Sequence, residues 1–210
     1  TIVIVWATES LASNNGDIAM RLLDASGNPV GNEVFVTSSS MPDDHPTITA
    51  LEGGGFVITW TTLESERGPD GSYYPDIGYR VYDAGGNAIT DAMLIQSTDF
   101  KLQRDVQVVA LKGGGFVSAW RVYIGNGEYS LYGQVFDGAG NKVGSEFSPF
   151  PYGLGSFQLK ALDGGGFTVT VVSTNSAHPG VFSLTFSHDG DAATFSGSAS
   201  SLSSLTISDV

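Results

Sequence analysis

The chain has 210 residues, of which 28 are glycine and 41% are hydrophobic, and its 22 Asp and Glu against 9 Lys and Arg give a formal charge of −13. That acidity repels a phosphate backbone and argues against nucleic acid as a partner. The lack of cysteine excludes disulfides and thiolate zinc sites, and no apolar run reaches the roughly 18–20 residues of a membrane-spanning helix.

The chain opens on alternation, Thr1-Ile2-Val3-Ile4-Val5-Trp6, with no signal peptide ahead of it. It therefore reads as a processed piece of a longer polypeptide. Further strands are expected at 17–24 and 33–36, joined by the turn Asp24-Ala25-Ser26-Gly27-Asn28. A different signal follows: Ala50-Leu51-Glu52-Gly53-Gly54-Gly55-Phe56-Val57-Ile58-Thr59-Trp60. Two alternating runs flank a triple glycine, which is a β-hairpin whose turn needs positive φ. The same stretch returns from Ala110 to Trp120 and from Ala161 to Val171, so the chain carries an internal repeat.

Each repeat predicts four strands, here called a to d. In the second unit they fall at 47–51, 56–61, 77–82 and 93–96. In the third they fall at 106–111, 116–122 and 131–136, with d near 146–147. In the fourth they fall at 157–162, 167–172, 181–186 and 193–197. The c–d turns start at Asp24, Asp83, Asp137 and Ser187, and an Asp there accepts bonds from backbone amides two residues on, a sufficient structural reason for it. Residues 2–6 align with strand b, so the first unit lacks strand a, while 202–210 is a spare alternating run around Leu205 and Ile207. Pairing the two would close the first unit and remove exposed edges. The expectation is all-β: one domain, a four-bladed β-propeller of four antiparallel strands per blade, with units at about 1–40, 41–98, 99–148 and 149–200 and with 201–210 completing the first.

The third unit, Leu111 to Phe147, carries Gly-Gly-Gly-Phe-Val-x-x-Trp, then Leu-Tyr-Gly-Gln-Val-Phe-Asp-x-x-Gly-Asn-x-Val-Gly-Ser-Glu-Phe. This pattern resembles a tandem repeat of large secreted bacterial proteins of the adhesin-like, hemolysin-type (RTX) calcium-binding class. The other units match at the hairpin and turn positions. The fourth departs most, with Val171 for Trp and Ser187 for Asp. The resemblance implies a propeller-like module in a secreted or cell-surface protein, and no activity. No glycine-aspartate nonapeptide of the calcium β-roll type is present.

In a propeller the a–b and c–d turns share one end of each blade, and the b–c and d–a loops share the other. Here the first set is uniform and the second varies, and variable loops on a rigid scaffold are where binding is usually carried. The loops are 8–16, 38–46, 63–76, 97–105, 123–130, 149–156 and 173–180. Tyr73 and Tyr74, with Tyr123, Tyr129 and Glu128 from the equivalent loop of the next unit, are the candidate ligand-binding residues. A tyrosine offers an apolar face for a sugar ring and a polar tip. Their plain alternative is packing against their own sheet. Glu64, Asp70 and Asp76 supply carboxylates of the kind that calcium takes, although a solvated acidic loop explains them as well. No cofactor is required, and calcium is an optional one. Asp43, Asp44 and His45 form a second, weaker acidic group. Trp6, Trp60 and Trp120 belong in the core.

Among His45, His178 and His188 there is no His-Glu-x-x-His, and the chain has no Gly-x-Ser-x-Gly and no glycine-rich phosphate loop. The expectation is a non-catalytic extracellular module binding glycan or another surface ligand, attached to further domains of a parent chain. The runner-up is a structural or oligomerising module, and the third reading is a carbohydrate-active enzyme.

Overall fold

The computed structural model describes residues 1–8, 16–63, 74–95, 102–150, 153–176, 179–188 and 192–197, the last stretch as backbone only. The expected closing run, 202–210, lies outside the described residues. All regular structure among them is β, with no helix. The chain divides into two compact units, residues 1–104 and 105–210.

The first unit holds two antiparallel sheets. One has the order β1 (Ile2–Ala7), β2 (Ile18–Leu23), β3 (Pro29–Phe35); the other is β4 (Asp43–Ala50), β5 (Phe56–Thr62), β6 (Asp76–Tyr82), β7 (Met93–Leu94). The second unit repeats the plan with four strands in each sheet. These are β8 (Gln103–Ala110), β9 (Phe116–Gly125), β10 (Glu128–Phe136) and β11 (Lys142–Phe150), then β12 (Leu154–Ala161), β13 (Phe167–Ser173), β14 (Gly180–Phe186) and β15 (Ala192–Gly197). The expected strand pattern is present in every unit, and the first sheet has three strands among the described residues.

The triple-glycine turns are alike. Leu51 N–H donates to Gly55 O at 2.8 Å, Leu111 to Gly115 at 3.0 Å and Leu162 to Gly166 at 3.1 Å. Gly53 and Gly54 take φ of 100° and 95°, a region that costs glycine nothing. The aspartate turns are alike too. In each, Oδ1 of Asp24, Asp83 or Asp137 accepts the amides two and four residues on, and the Asn at the fourth position donates its side-chain amide to Oδ2.

Sheet packing follows the period of two. In the first unit, Val3, Val5, Ala7, Ile18, Met20 and Leu22 of the first sheet pack against Phe56, Ile58, Trp60 and Tyr82 of the second. In the second unit, Val117, Ala119, Leu131 and Val135 pack against Phe167, Val169, Val171, Phe182, Leu184 and Phe186. The strand-b residues that begin Phe-x-x in one sheet are thus covered by the alternate residues of the sheet before it. Close approach requires glycine at two cross-strand positions: a Cβ on Gly78 would collide with the Trp60 indole, and one on Gly133 with the Phe147 ring.

Two expectations need correction. Trp60 and Trp120 are buried as expected, but Trp6 is half-buried. It shares a face with Ile2 and Ile4, 45% and 44% exposed, over which no sheet of the first unit packs among the described residues. The stretch 123–130 is not a loop. β9 and β10 continue as a hairpin to Gly125 and Glu128, turned by Asn126 and Gly127 at φ of 53° and 79°. Positive φ at both central residues is the turn whose twist suits a hairpin, and Asn-Gly is its strongest sequence signal.

Candidate functional site

The end of the sheets opposite the glycine turns differs between the units. In the first, Asp43, Thr62 and Asp76 lie side by side across β4, β5 and β6. All three are buried, with exposures of 2%, 1% and 4%. Gln103, also buried, donates Nε2 to Asp76 Oδ1 at 3.1 Å and its own amide to Pro75 O at 3.1 Å. Burying carboxylates costs free energy unless hydrogen bonds replace water, and the Gln103 amide does so for Asp76. Asp76 is therefore a strand residue in a buried row, and not part of a solvated acidic loop. Tyr74 is half-buried just ahead of β6. Glu64, Asp70 and Tyr73 lie outside the described residues.

In the second unit the same end carries aromatic and charged side chains near solvent. Tyr123 and Tyr129 are a cross-strand pair with ring centroids 5.5 Å apart and planes tilted by 60°. Tyr123 is 38% exposed, and its hydroxyl accepts Gly127 N–H at 3.2 Å, which holds the ring against the Asn-Gly turn. Tyr129 is partly buried and rests on the core beneath it. The Arg121 guanidinium lies 4.1 Å above the Tyr129 ring centroid, a cation–π distance, and donates Nη1 to Asp105 Oδ2 at 2.9 Å. Asp105 has φ of 56°. Glu128 is exposed at the start of β10. The structure thus brings together Tyr123, Tyr129 and Glu128 on one hairpin and adds Arg121 and Asp105, which sequence reasoning missed. The Asn126-Gly127 dipeptide was the signal that would have found the hairpin, and with it the face that Arg121 shares with Tyr123.

The second acidic group is less than expected. Asp43 is buried in the polar row, whereas Asp44 and His45 are exposed, with His45 Nδ1 3.3 Å from Asp44 Oδ2. Among the described residues, no three His, Asp or Glu side chains gather as a metal site would need. The carboxylates of Asp24 and Asp83 are held below the usual range chiefly by their bonds from Asn28 and Asn87, which favour the charged form. Asp137 is also lowered: burial pushes it up, but the bonds from Asn141, Ala139 and Gly140 outweigh that. These aspartates hold turns together through their own backbone.

No protein-family model and no curated protein matches the chain. Among solved structures it is similar to a protein named "Hadza microbial sialidase Hz136", with a TM-score of 0.60 at 12% identity, over 93% of this chain and 43% of that one. At that identity the likeness shows fold alone: all-β and β-propeller-like. The chain spans less than half the length of this neighbour.

Proposed function

We propose that the chain is a non-catalytic extracellular module of a secreted bacterial protein, its four sheets serving as four propeller blades, and that it binds glycan at the end of the third sheet. The observation that carries this reading is the Tyr123–Tyr129 pair, held on a tight hairpin and bordered by Arg121 and Asp105, with Glu128 exposed on the same hairpin. A pyranose needs an apolar platform for its C–H face and charged or polar groups for its hydroxyl edge, and this site offers both. Calcium has no required part in it. A carbohydrate-active enzyme is the second reading, and only the name of the sialidase neighbour favours it. An inert structural module is the third.

A glycan array, run with calcium and with EDTA, tests the proposal. The expected result is binding to a defined set of glycans in both conditions, with Tyr123→Ala weakening it by about tenfold, or ~1.4 kcal/mol. Because Tyr123 is more than a third exposed, the variant is expected to fold. An array with no bound glycan would sink the reading, as would Tyr123→Ala binding like the parent. Release of a sugar from a bound glycan would move the chain to the enzyme class.

A further inference from the structure

The turn between β9 and β10 sets two residues side by side that can react with each other. Asn126 and Gly127 are both exposed, with φ of 53° and 79°. A Cβ on Gly127 would meet nothing within 4 Å, so the space around its backbone nitrogen is open. An asparagine carboxamide carbon is an electrophile, and the next backbone nitrogen is a nucleophile within reach of it. This is one reason asparagine counts among the thermolabile side chains. Closure of a ring between the two is hindered by the side chain of the following residue, and glycine has none. The dipeptide that suits this hairpin turn is therefore also the one most open to attack on itself.

The three asparagines of the aspartate turns are placed differently. Asn28, Asn87 and Asn141 each donate their side-chain amide to the Oδ2 of an aspartate four residues back. The residues after them are Pro29, Ala88 and Lys142, all with side chains, and proline has no N–H to give up. Four residues before Asn126 stands Val122, which offers no such bond. What holds the Asn126-Gly127 pair is Tyr123, whose hydroxyl accepts Gly127 N–H at 3.2 Å. The nitrogen that must lose its proton in order to attack is the one engaged in this bond.

We propose that Asn126-Gly127 is a self-modification site and that the Tyr123 hydroxyl restrains it. In the first step Gly127 N gives its proton to a solvent base and bonds to Asn126 Cγ. The Cγ–Nδ2 bond then breaks, the leaving nitrogen takes a proton from water, and ammonia departs, which leaves a five-membered succinimide. Water opens that ring. Attack at Cγ gives aspartate, and attack at the backbone carbonyl carbon gives isoaspartate, in which the main chain runs through Cβ and Cγ. The net change is one water consumed and one ammonia released, with no electron transfer. Isoaspartate lengthens the turn by one backbone atom between the paired Gly125 and Glu128, and either product sets a new carboxylate close to that of Glu128. The step does not depend on what the hairpin binds.

The test holds the whole chain at mildly alkaline pH and maps its peptides by mass spectrometry over time, scoring isoaspartate apart from aspartate. Isoaspartate arises through the ring, so it identifies the route. Asn126 is expected to convert ahead of Asn28, Asn87 and Asn141. Peptide mapping also separates it from Asn15-Gly16, the chain's other such pair, whose asparagine lies outside the described residues. Tyr123→Phe keeps the ring and removes the acceptor. It is expected to speed conversion at Asn126 by about fivefold, the factor for a hydrogen bond of about 1 kcal/mol, and to leave the rate at Asn15 unchanged. Asn126→Gln, which would have to close a larger ring, is expected to abolish the conversion at that position. Three results overturn the proposal. Conversion at Asn126 no faster than at the three turn asparagines would mean that the turn is not a reactive site. Equal rates at Asn126 in Tyr123→Phe and the parent would mean that the hydroxyl restrains nothing. Parallel acceleration at Asn15 and Asn126 would trace the effect to loss of the fold and not to the bond from Gly127.

Discussion

In the second sheet, the end that carries the b–c connection closes on buried polar groups: Asp76 opposite Thr62, with Asp43 beyond it and Gln103 bonded to Asp76. In the third sheet the equivalent pair is Ser130 opposite Val122, and the strands run on to the cross-strand pair of exposed Tyr123 and partly buried Tyr129. The strands below that end are built alike in both. Phe56 stacks on Tyr82 with centroids 5.0 Å apart, and Phe116 on Phe136 at 4.7 Å. The repeat thus conserves energy where sheets pack and turns fold back, and spends its variation at one end. That division separates scaffold from surface better than any motif in the chain does.

The largest effect belongs to the shared scaffold. Phe167 is fully buried and stacks on Phe186 at 4.8 Å, and Phe56 holds the matching place in the first unit at 5% exposure. Truncation to alanine at either position is expected to cost about 3–5 kcal/mol, the range for an aromatic removed from a packed core. Chemical denaturation of both variants checks this. A large loss in only one unit would mean that the two are not built alike.

A smaller effect lies at the divergent end. Asp76→Ala removes the carboxylate to which buried Gln103 donates, and losing a buried hydrogen bond to a charged group costs about 1–3 kcal/mol. Ser130→Ala, at the equivalent position, is expected to cost about 1 kcal/mol or less. Equal losses in the two variants would show that the polar row adds nothing specific to the first unit.

How much of this was legible beforehand depended on whether the signal was local. Triple glycines, alternating runs and Asp-x-x-Gly-Asn turns act through their own backbone, so strands and turns fell close to where the pattern placed them. The face covering Trp6 is not local. Its pattern matches Trp60 and Trp120, but burial is decided by what packs on it. In sequence Asp76 looks like one carboxylate of an acidic loop, because nothing in the neighbouring residues announces that Gln103, 27 positions along the chain, bonds to it. Arg121 and Asp105 meet across 16 positions, and that pairing depends on two strands being in register. Asn126-Gly127 is a local signal, and its positive-φ turn closes a hairpin inside the stretch expected as a loop.

The smallest effect is the acid response of the turns, which both units share. Asp24 and Asp83 accept the same set of bonds in the first unit as Asp137 does in the second, and all three carboxylates are lowered. An unfolded aspartate titrates near about 3.9. A lowered folded value means that folding favours the charged form, so the contribution is fully present above the unfolded value and is lost as pH falls through the folded one. The expected signature is a loss of stability beginning below about pH 4. A chain with Asp24→Asn, Asp83→Asn and Asp137→Asn should already lack part of that contribution at neutral pH and should lose stability less steeply in acid. Because the turn carboxylates are mostly solvated, salt and water screen the effect and the change is small beside the core variants. Thermal melts of both chains between neutral pH and about pH 3 measure it. Parallel curves would show that the bonds from Asn28, Asn87 and Asn141 serve geometry alone, leaving the likeness of the turns as a matter of backbone shape and not of charge.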